Sequence, residues 1–285
     1  MKSRTINIKG SLIDFDNPLV MGIVNVTPDS FYSGSRKQSE KEIVERVQQI
    51  LNEGGTIIDL GGQSTAPSST LHTAEEELER IKPALSIIQR EFPDAILSID
   101  TFYSEVAKTA VEKYGVAMIN DISGGQIDEK MFTTAAKLNV PYILMHMRGT
   151  PQTMQQLTTY DNFIEEIIFY FSEKIAHLNG LGVNDIIVDP GFGFSKTLEQ
   201  NYELMAHLKY FHIFETPLMV GISRKSMTYK LLETDADSSL NGTTVLNTYA
   251  LESGANILRV HDVKEAIECV KLTTQLNKYG TQELL

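Results

Sequence analysis

Eight short apolar runs in this 285-residue chain each give way to residues capable of polar chemistry. The first ends at Asn25; those that follow give Asp59, Asp100, Asn120, His146 and Asp189 in turn. The last two run into Gly221-Ile222-Ser223-Arg224-Lys225 and Arg259-Val260-His261. The carboxylates Asp100 and Asp189, with the amide Asn120, suit a flat polar heterocycle that has an amino-amide edge. Lys225, Arg259 and His261 supply positive potential for an anionic group. Glycine-rich turns at Gly61-Gly62, Gly191-Phe192-Gly193 and Gly221 let the backbone approach a ligand closely. Singly, each residue has a plainer reading: an Asp, Asn or Ser after a strand caps the next helix. A lone Arg259 could neutralise a buried carboxylate, and His146 or His261 alone reads as a structural histidine. Convergence shifts the balance, because burying three carboxylates and several cations together without a ligand carries a large desolvation cost. The types and spacing point to an enzyme that binds a heterocycle joined to an anion.

The elements that would position these groups alternate along the chain. The apolar runs lie at 19–26, 56–60, 95–99, 117–119, 142–145, 185–188, 218–220 and 256–260, and are rich in Ile, Val or Leu on both parities. That is how strands buried on both faces of a parallel sheet read. Between them run helical stripes: Ile43, Val44, Val47, Ile50 and Leu51, then Val106, Ala110 and Val111, then Phe163 to Ile175, and finally Val263, Ile267 and Val270. Thr73 with Glu76 forms a capping-box pattern that opens another helix, through Leu78, Ile81, Leu85 and Ile88. Eight strands with intervening helices predict a single (β/α)8 TIM barrel over residues 19–285, with chemistry at its C-terminal mouth. An open doubly wound sheet is the competing architecture, weakened because no G-x-G-x-x-G follows the first strand. Residues 1–18, with turn signals at Gly10 and Asn17-Pro18, predict a small hairpin extension that closes the barrel floor.

Composition narrows the class. The formal net charge of −12 argues against non-specific nucleic-acid binding, so any anionic ligand needs a local cluster of cations. Cys269 is the single cysteine, which excludes an internal disulfide framework and a Cys-based zinc site and suggests a cytoplasmic setting. No run approaches a membrane span, and the N-terminus has no signal-like apolar core.

The ends of the strands carry a family resemblance. Asn25-Val26-Thr27-Pro28-Asp29-Ser30-Phe31 resembles the first loop of the dihydropteroate synthases, and Gly61-Gly62-Gln63-Ser64-Thr65 resembles their second. Ser98-Ile99-Asp100-Thr101, Ile119-Asn120-Asp121, Asp189-Pro190-Gly191-Phe192-Gly193-Phe194, Ser223-Arg224-Lys225-Ser226 and Arg259-Val260-His261-Asp262-Val263 follow in the family's order. The resemblance implies a transferase of folate biosynthesis. Pyrophosphate would leave a hydroxymethyl-dihydropterin ester, and 4-aminobenzoate would take its place. It implies pterin binding by Asp100, Asn120, Asp189 and Lys225, pyrophosphate binding by Arg259, His261 and Asn25, and Asn25 as a Mg²⁺ ligand. Phe31, Thr65, Pro67, Phe194, Ser223 and Lys225 would shape the aminobenzoate pocket, while Asp59 and Gly221 complete the substrate-binding set. Asp100, Asp189, Lys225, Arg259 and His261 would carry catalysis. The family also implies a homodimer packed through outer helices.

Two departures stand out. Ala66 occupies a position that is usually Arg, and Ser33 one that is usually Asp. Arg36, just beyond the first loop, is expected to supply the missing cation. A corrinoid-dependent methyltransferase domain shares the pterin-holding Asp and Asn, and a homologue impaired in turnover is a further alternative.

Overall fold

The computed structural model describes residues 5–26, 36–63 and 71–280, with only the backbone of residues 36–39. The chain opens with β1 (Thr5–Ile8) and β2 (Ser11–Asp14), an antiparallel pair turned at Lys9 and Gly10, both at positive φ. Eight parallel strands then alternate with helices: β3 (Leu19–Asn25), α1 (Arg36–Asn52), β4 (Ile57–Gly61), α2 (Ala74–Glu91), β5 (Ile96–Asp100), α3 (Ser104–Tyr114), β6 (Met118–Asp121), α4 (Met131–Leu138) and β7 (Tyr142–Met145). The order continues through α5 (Phe163–Gly180), β8 (Ile186–Asp189), α6 (Leu198–Ala206), β9 (Met219–Val220), α7 (Ser226–Leu231), α8 (Leu240–Glu252), β10 (Ile257–Val260) and α9 (Val263–Gly280). The strands pair in the order β8-β7-β6-β5-β4-β3-β10-β9. A parallel bridge from Val188 to Leu218, with Val188 N donating to Pro217 O at 2.9 Å, closes the ring. This is the expected TIM barrel, not an open sheet.

Alternation along the strands sorts the core into two parts. Val20, Ile58, Leu60, Leu97, Ile99, Ile119, Leu144, Val188 and Leu258 point outward and pack under the helices. Met21, Ile57, Met118, Ile143, Ile187, Met219 and Ile257 point inward and form the floor of the lumen. Ile6, Ile8 and Phe15 of the hairpin segment pack against that floor and seal it from below. The next inward positions, one pleat higher, are Asp59, Ser98, Asn120, Met145, Asp189 and Arg259. A period of two therefore carries the change from apolar floor to polar mouth.

Helix signals behave as their chemistry requires. The Thr73–Glu76 capping box is formed in both directions, and α3 ends on Gly115 in the left-handed conformation. Gly22 lets α1 approach β3: a Cβ there would lie 2.7 Å from Ile50. Four helices, α4, α6, α7 and α8, have no stripe among those read from the sequence. In α8 the buried face includes Thr243 and Asn247, so no apolar period marks it.

Candidate active site

Arg259 is the hub of the mouth. It stands on β10 and crosses the lumen, where its Nε donates to Asp59 Oδ2 at 2.7 Å and its Nη2 to Asp100 Oδ2 at 2.6 Å. Asn120 Nδ2 donates to the same Asp59 oxygen at 2.9 Å. Four strands are joined by one network, in which two of the three acidic and amide side chains are almost wholly buried and Asp100 keeps 14% of its surface. Asp59 Oδ1 has no hydrogen-bond partner, which leaves a buried acceptor in the lumen. Across the barrel, Asp189 Oδ1 accepts from Gly191 N at 2.8 Å. Lys225, at the N-cap of α7, donates to Phe192 O at 2.6 Å and lies 4.7 Å from the centre of the Phe194 ring.

The electrostatics follow from burial. Burial raises Asp100 to about 7, with Asp59 and Asp121 adding to the rise and Arg259 opposing it. Asp189 is also raised by burial, against the pull of Lys225. Burial lowers Lys225 to about 8, although Asp189 works the other way. For Arg259 burial works against the charge, yet Asp59 and Asp100 hold it above its ordinary value. At the mouth, burial thus pushes the carboxylates toward their neutral form, opposed by Arg259 at Asp100 and by Lys225 at Asp189.

The remaining expected residues divide. Asn25 is exposed at the end of β3, and Gly61 separates it from Asp100: a Cβ on Gly61 would lie 3.6 Å from both Asn25 Oδ1 and Asp100 Oδ2. Ser223 Oγ accepts from His261 N at 3.2 Å and so ties β10 to the loop after β9, while the His261 ring is exposed at the rim. Gly221 lies beside the Arg259 stem, where a Cβ would make an ordinary contact at 3.7 Å. Phe31, Thr65 and Pro67, with Ser33 and Ala66, lie outside the described residues, as does the side chain of Arg36 at the start of α1.

Other polar groups at the strand ends turn away from the mouth. Asp121 has the opposite parity to Asn120 and faces outward, where Tyr142 Oη donates to it at 2.6 Å. Arg148 stacks on Tyr160 and pairs with Glu166, and Arg224 makes a two-point contact with Asp262 at 2.9 Å. His146 is buried against the Lys196 amine.

The structure also gives roles to two residues for which the sequence reading had assigned none. Arg46 of α1 donates to Ile23 O at 3.2 Å and His261 O at 2.7 Å, pinning two strand ends beneath the rim. Gln63 bridges to the backbone of His72 and to Glu77, which ties together the two ends of the second loop.

A model described as pterin binding enzyme matches residues 21–261. The dihydropteroate synthase of Escherichia coli strain K12 is 41% identical over 266 residues, which cover 93% of each chain. The chain belongs to the dihydropteroate synthase family. A crystal structure of the Yersinia pestis family member with a sulfonamide drug superposes with a TM-score of 0.87 at 38% identity, covering 96% of this chain and 99% of the other. The family structure from Thermus thermophilus, in complex with 4-aminobenzoate, gives 0.85 at 31% identity, covering 96% and 100%. Transfer chemistry in folate biosynthesis comes with membership, and these relatives give no footing to the corrinoid methyltransferase alternative.

Proposed function

We propose that the lumen residues divide the synthase reaction between a pterin end and a pyrophosphate end. The observation that carries this reading is the Asp59–Arg259–Asp100 network opposite Asp189 and Lys225. Asp100, Asn120 and Asp189 hold the amino-amide edge of the dihydropterin, and Lys225 donates to a ring acceptor from the Phe192 side. Cleavage of the C–O bond runs ahead of C–N bond formation, and its electron pair leaves with the intact pyrophosphate. Positive charge developing on the exocyclic carbon is spread into the electron-rich ring, and the fixed carboxylates beneath favour it. The amine nitrogen of 4-aminobenzoate then forms the C–N bond and loses a proton to water or pyrophosphate. An arylamine is nucleophilic at neutral pH, so the site needs no strong base. Arg259 and His261 receive the departing charge at the rim.

The donor set at Asn25 fits a hard cation. It offers one amide oxygen at the end of β3, with the Asp100 carboxylate on the other side of Gly61. Mg²⁺ commonly takes one or two protein oxygens and fills its shell with water and substrate phosphate. Bound there, it would neutralise charge on the leaving group.

Two assignments reach beyond the site. Arg36 supplies the cation that Ala66 lacks. In Arg36→Ala, KM should rise for at least one substrate, and unchanged kcat and KM for both would contradict this. The protein works as a cytoplasmic homodimer, paired through α8 and α9. Val245 and Tyr249 on α8, and Leu272, Leu276 and Tyr279 on α9, are exposed at helical spacing. The reading as a whole is tested by following 7,8-dihydropteroate by mass spectrometry with Mg²⁺ present or chelated. Product formation that stops on chelation and returns with Mg²⁺ is expected. Undiminished formation without Mg²⁺ would overturn the metal assignment, and no product in either case would overturn the activity.

A further inference from the structure

The loop from β8 to α6 is held in an improbable shape. Gly191, Gly193 and Ser195 all have positive φ, and a Cβ on Gly191 would come within 2.1 Å of His146 O. Left-handed backbone at a non-glycine residue such as Ser195 is strained and persists only where surrounding contacts over-determine it. Here the principal contact is internal. Lys196, 3% exposed, turns its side chain back into the loop and donates to Gly191 O at 2.9 Å and Phe194 O at 3.0 Å. Its third contact is His146 Nδ1 at 3.0 Å, which completes the amine's valence whichever partner carries the proton.

The outer side of the same loop forms the pterin end of the site. Phe192 O, one residue after a carbonyl held by Lys196, receives Lys225 at 2.6 Å. Phe194, whose carbonyl Lys196 holds directly, presents its ring to that lysine. We propose that Lys196 is a positioning residue for the pterin end. Its buried amine clamps the loop from inside in the one shape that sets Phe192 O and the Phe194 ring against Lys225.

Packing alone does not call for a lysine. Burying an amine with no carboxylate in contact is costly, and apolar groups of similar volume often replace buried charges at no loss of stability. Burial accordingly pushes Lys196 well below the usual lysine value. What a methionine cannot do is hold two carbonyls that face inward within a loop containing three left-handed residues. Lys196 touches no substrate in this arrangement; it acts through Lys225 and Phe194.

The proposal rests on the synthase reading and is tested with Lys196→Met, which keeps the stem and removes the donors. Three quantities are read: melting temperature, steady-state kinetics with each substrate varied, and calorimetric affinity for 6-hydroxymethyl-7,8-dihydropterin. The expected result is a folded variant with a pterin-substrate KM and dihydropterin Kd raised at least roughly 10-fold, and a smaller rise in the 4-aminobenzoate KM, since Phe194 and Lys225 also border that pocket. A folded variant with wild-type pterin affinity would overturn the proposal, as would equal losses for both substrates. If Lys196→Met does not fold, Lys196→Leu, which also removes the donors, decides by the same readings. Loss of fold in both would assign Lys196 to stability and overturn the proposal. Wild-type protein that makes no dihydropteroate would contradict the activity, while the calorimetric comparison would still decide the role of Lys196.

Discussion

Arg259 reaches two carboxylates that belong to different strands, and the consequences start at single side chains. Removing the guanidinium takes the Arg259 donor from Asp100 Oδ2 and leaves Asp59 Oδ2 with the Asn120 amide alone, and such hydrogen bonds to charged groups are worth about 1.5–3 kcal/mol. Lys225→Ala loses a comparable contact and should lower kcat/KM at least roughly 10-fold; steady-state kinetics showing wild-type activity would remove Lys225 from the site. The same groups set a pH window. Asp100, raised to about 7, must be ionised to favour positive charge on the pterin, so activity rises as pH climbs through that value. Lys225, lowered to about 8, must stay protonated to donate, so activity falls above it. The log kcat/KM profile should be a narrow bell between the two, its limbs belonging to the coupled cluster rather than to either residue alone. A flat profile from pH 6 to 9 would contradict it. At this scale the sequence was legible wherever parity did the sorting. Asp59, Asn120, Asp189 and Arg259 share the face of the floor residues Ile57, Met118, Ile187 and Ile257, whereas Asp121 falls on the other. Arg148, Arg224 and His146 could not be separated from the site by spacing. Their removal depends on Tyr160, Asp262 and Lys196, which the chain brings near only after folding.

At the scale of elements, capping and period account for what could be read and what could not. The capping box at Thr73 and the glycine stop at Gly115 are local, and both formed as their residue types require. Helix α6 has a box of the same kind at Thr197 and Gln200, a signal present in the sequence but unmarked by any apolar stripe. Helix α2 also carries a conflict. Glu77 is fully buried beside Gly62, its Oε1 unpaired, and burial raises it to about 7. Its folded value exceeds the ordinary one of 4.5 that it has when unfolded. The stability it contributes is therefore present below the unfolded value and is lost as pH rises through 7. Glu77→Gln removes that loss and should raise Tm at pH 8.5 by at least about 2 °C, with a smaller change at pH 5.5. An equal shift at both pH values would show that ionisation of Glu77 does not matter to the fold.

For the whole molecule, a net charge of −12 coexists with a site built for anions because the potential that matters is local. Lys225 and Arg259 sit at one end of a closed barrel, with His261 at the rim held toward its neutral form by desolvation and by Arg259, and acidic residues are spread over the helices outside. The barrel itself was readable from eight apolar runs; the bridge between Val188 and Leu218 that closes it was not, because β9 has only two residues. The exposed apolar stripes on α8 and α9 belong to this scale as well. If the proposed dimer pairs through them, Leu272→Glu with Leu276→Glu should reduce the mass measured by light scattering from that of two chains to that of one, and an unchanged mass would contradict the pairing. The central claim, that the polar mouth of this barrel joins a dihydropterin to an arylamine at the expense of pyrophosphate, has a direct measurement. Purified protein with Mg²⁺, the dihydropterin pyrophosphate ester and 4-aminobenzoate is assayed for pyrophosphate and dihydropteroate together. One dihydropteroate is expected for each pyrophosphate released in the presence of both substrates. Pterin binding with no dihydropteroate formed would contradict it.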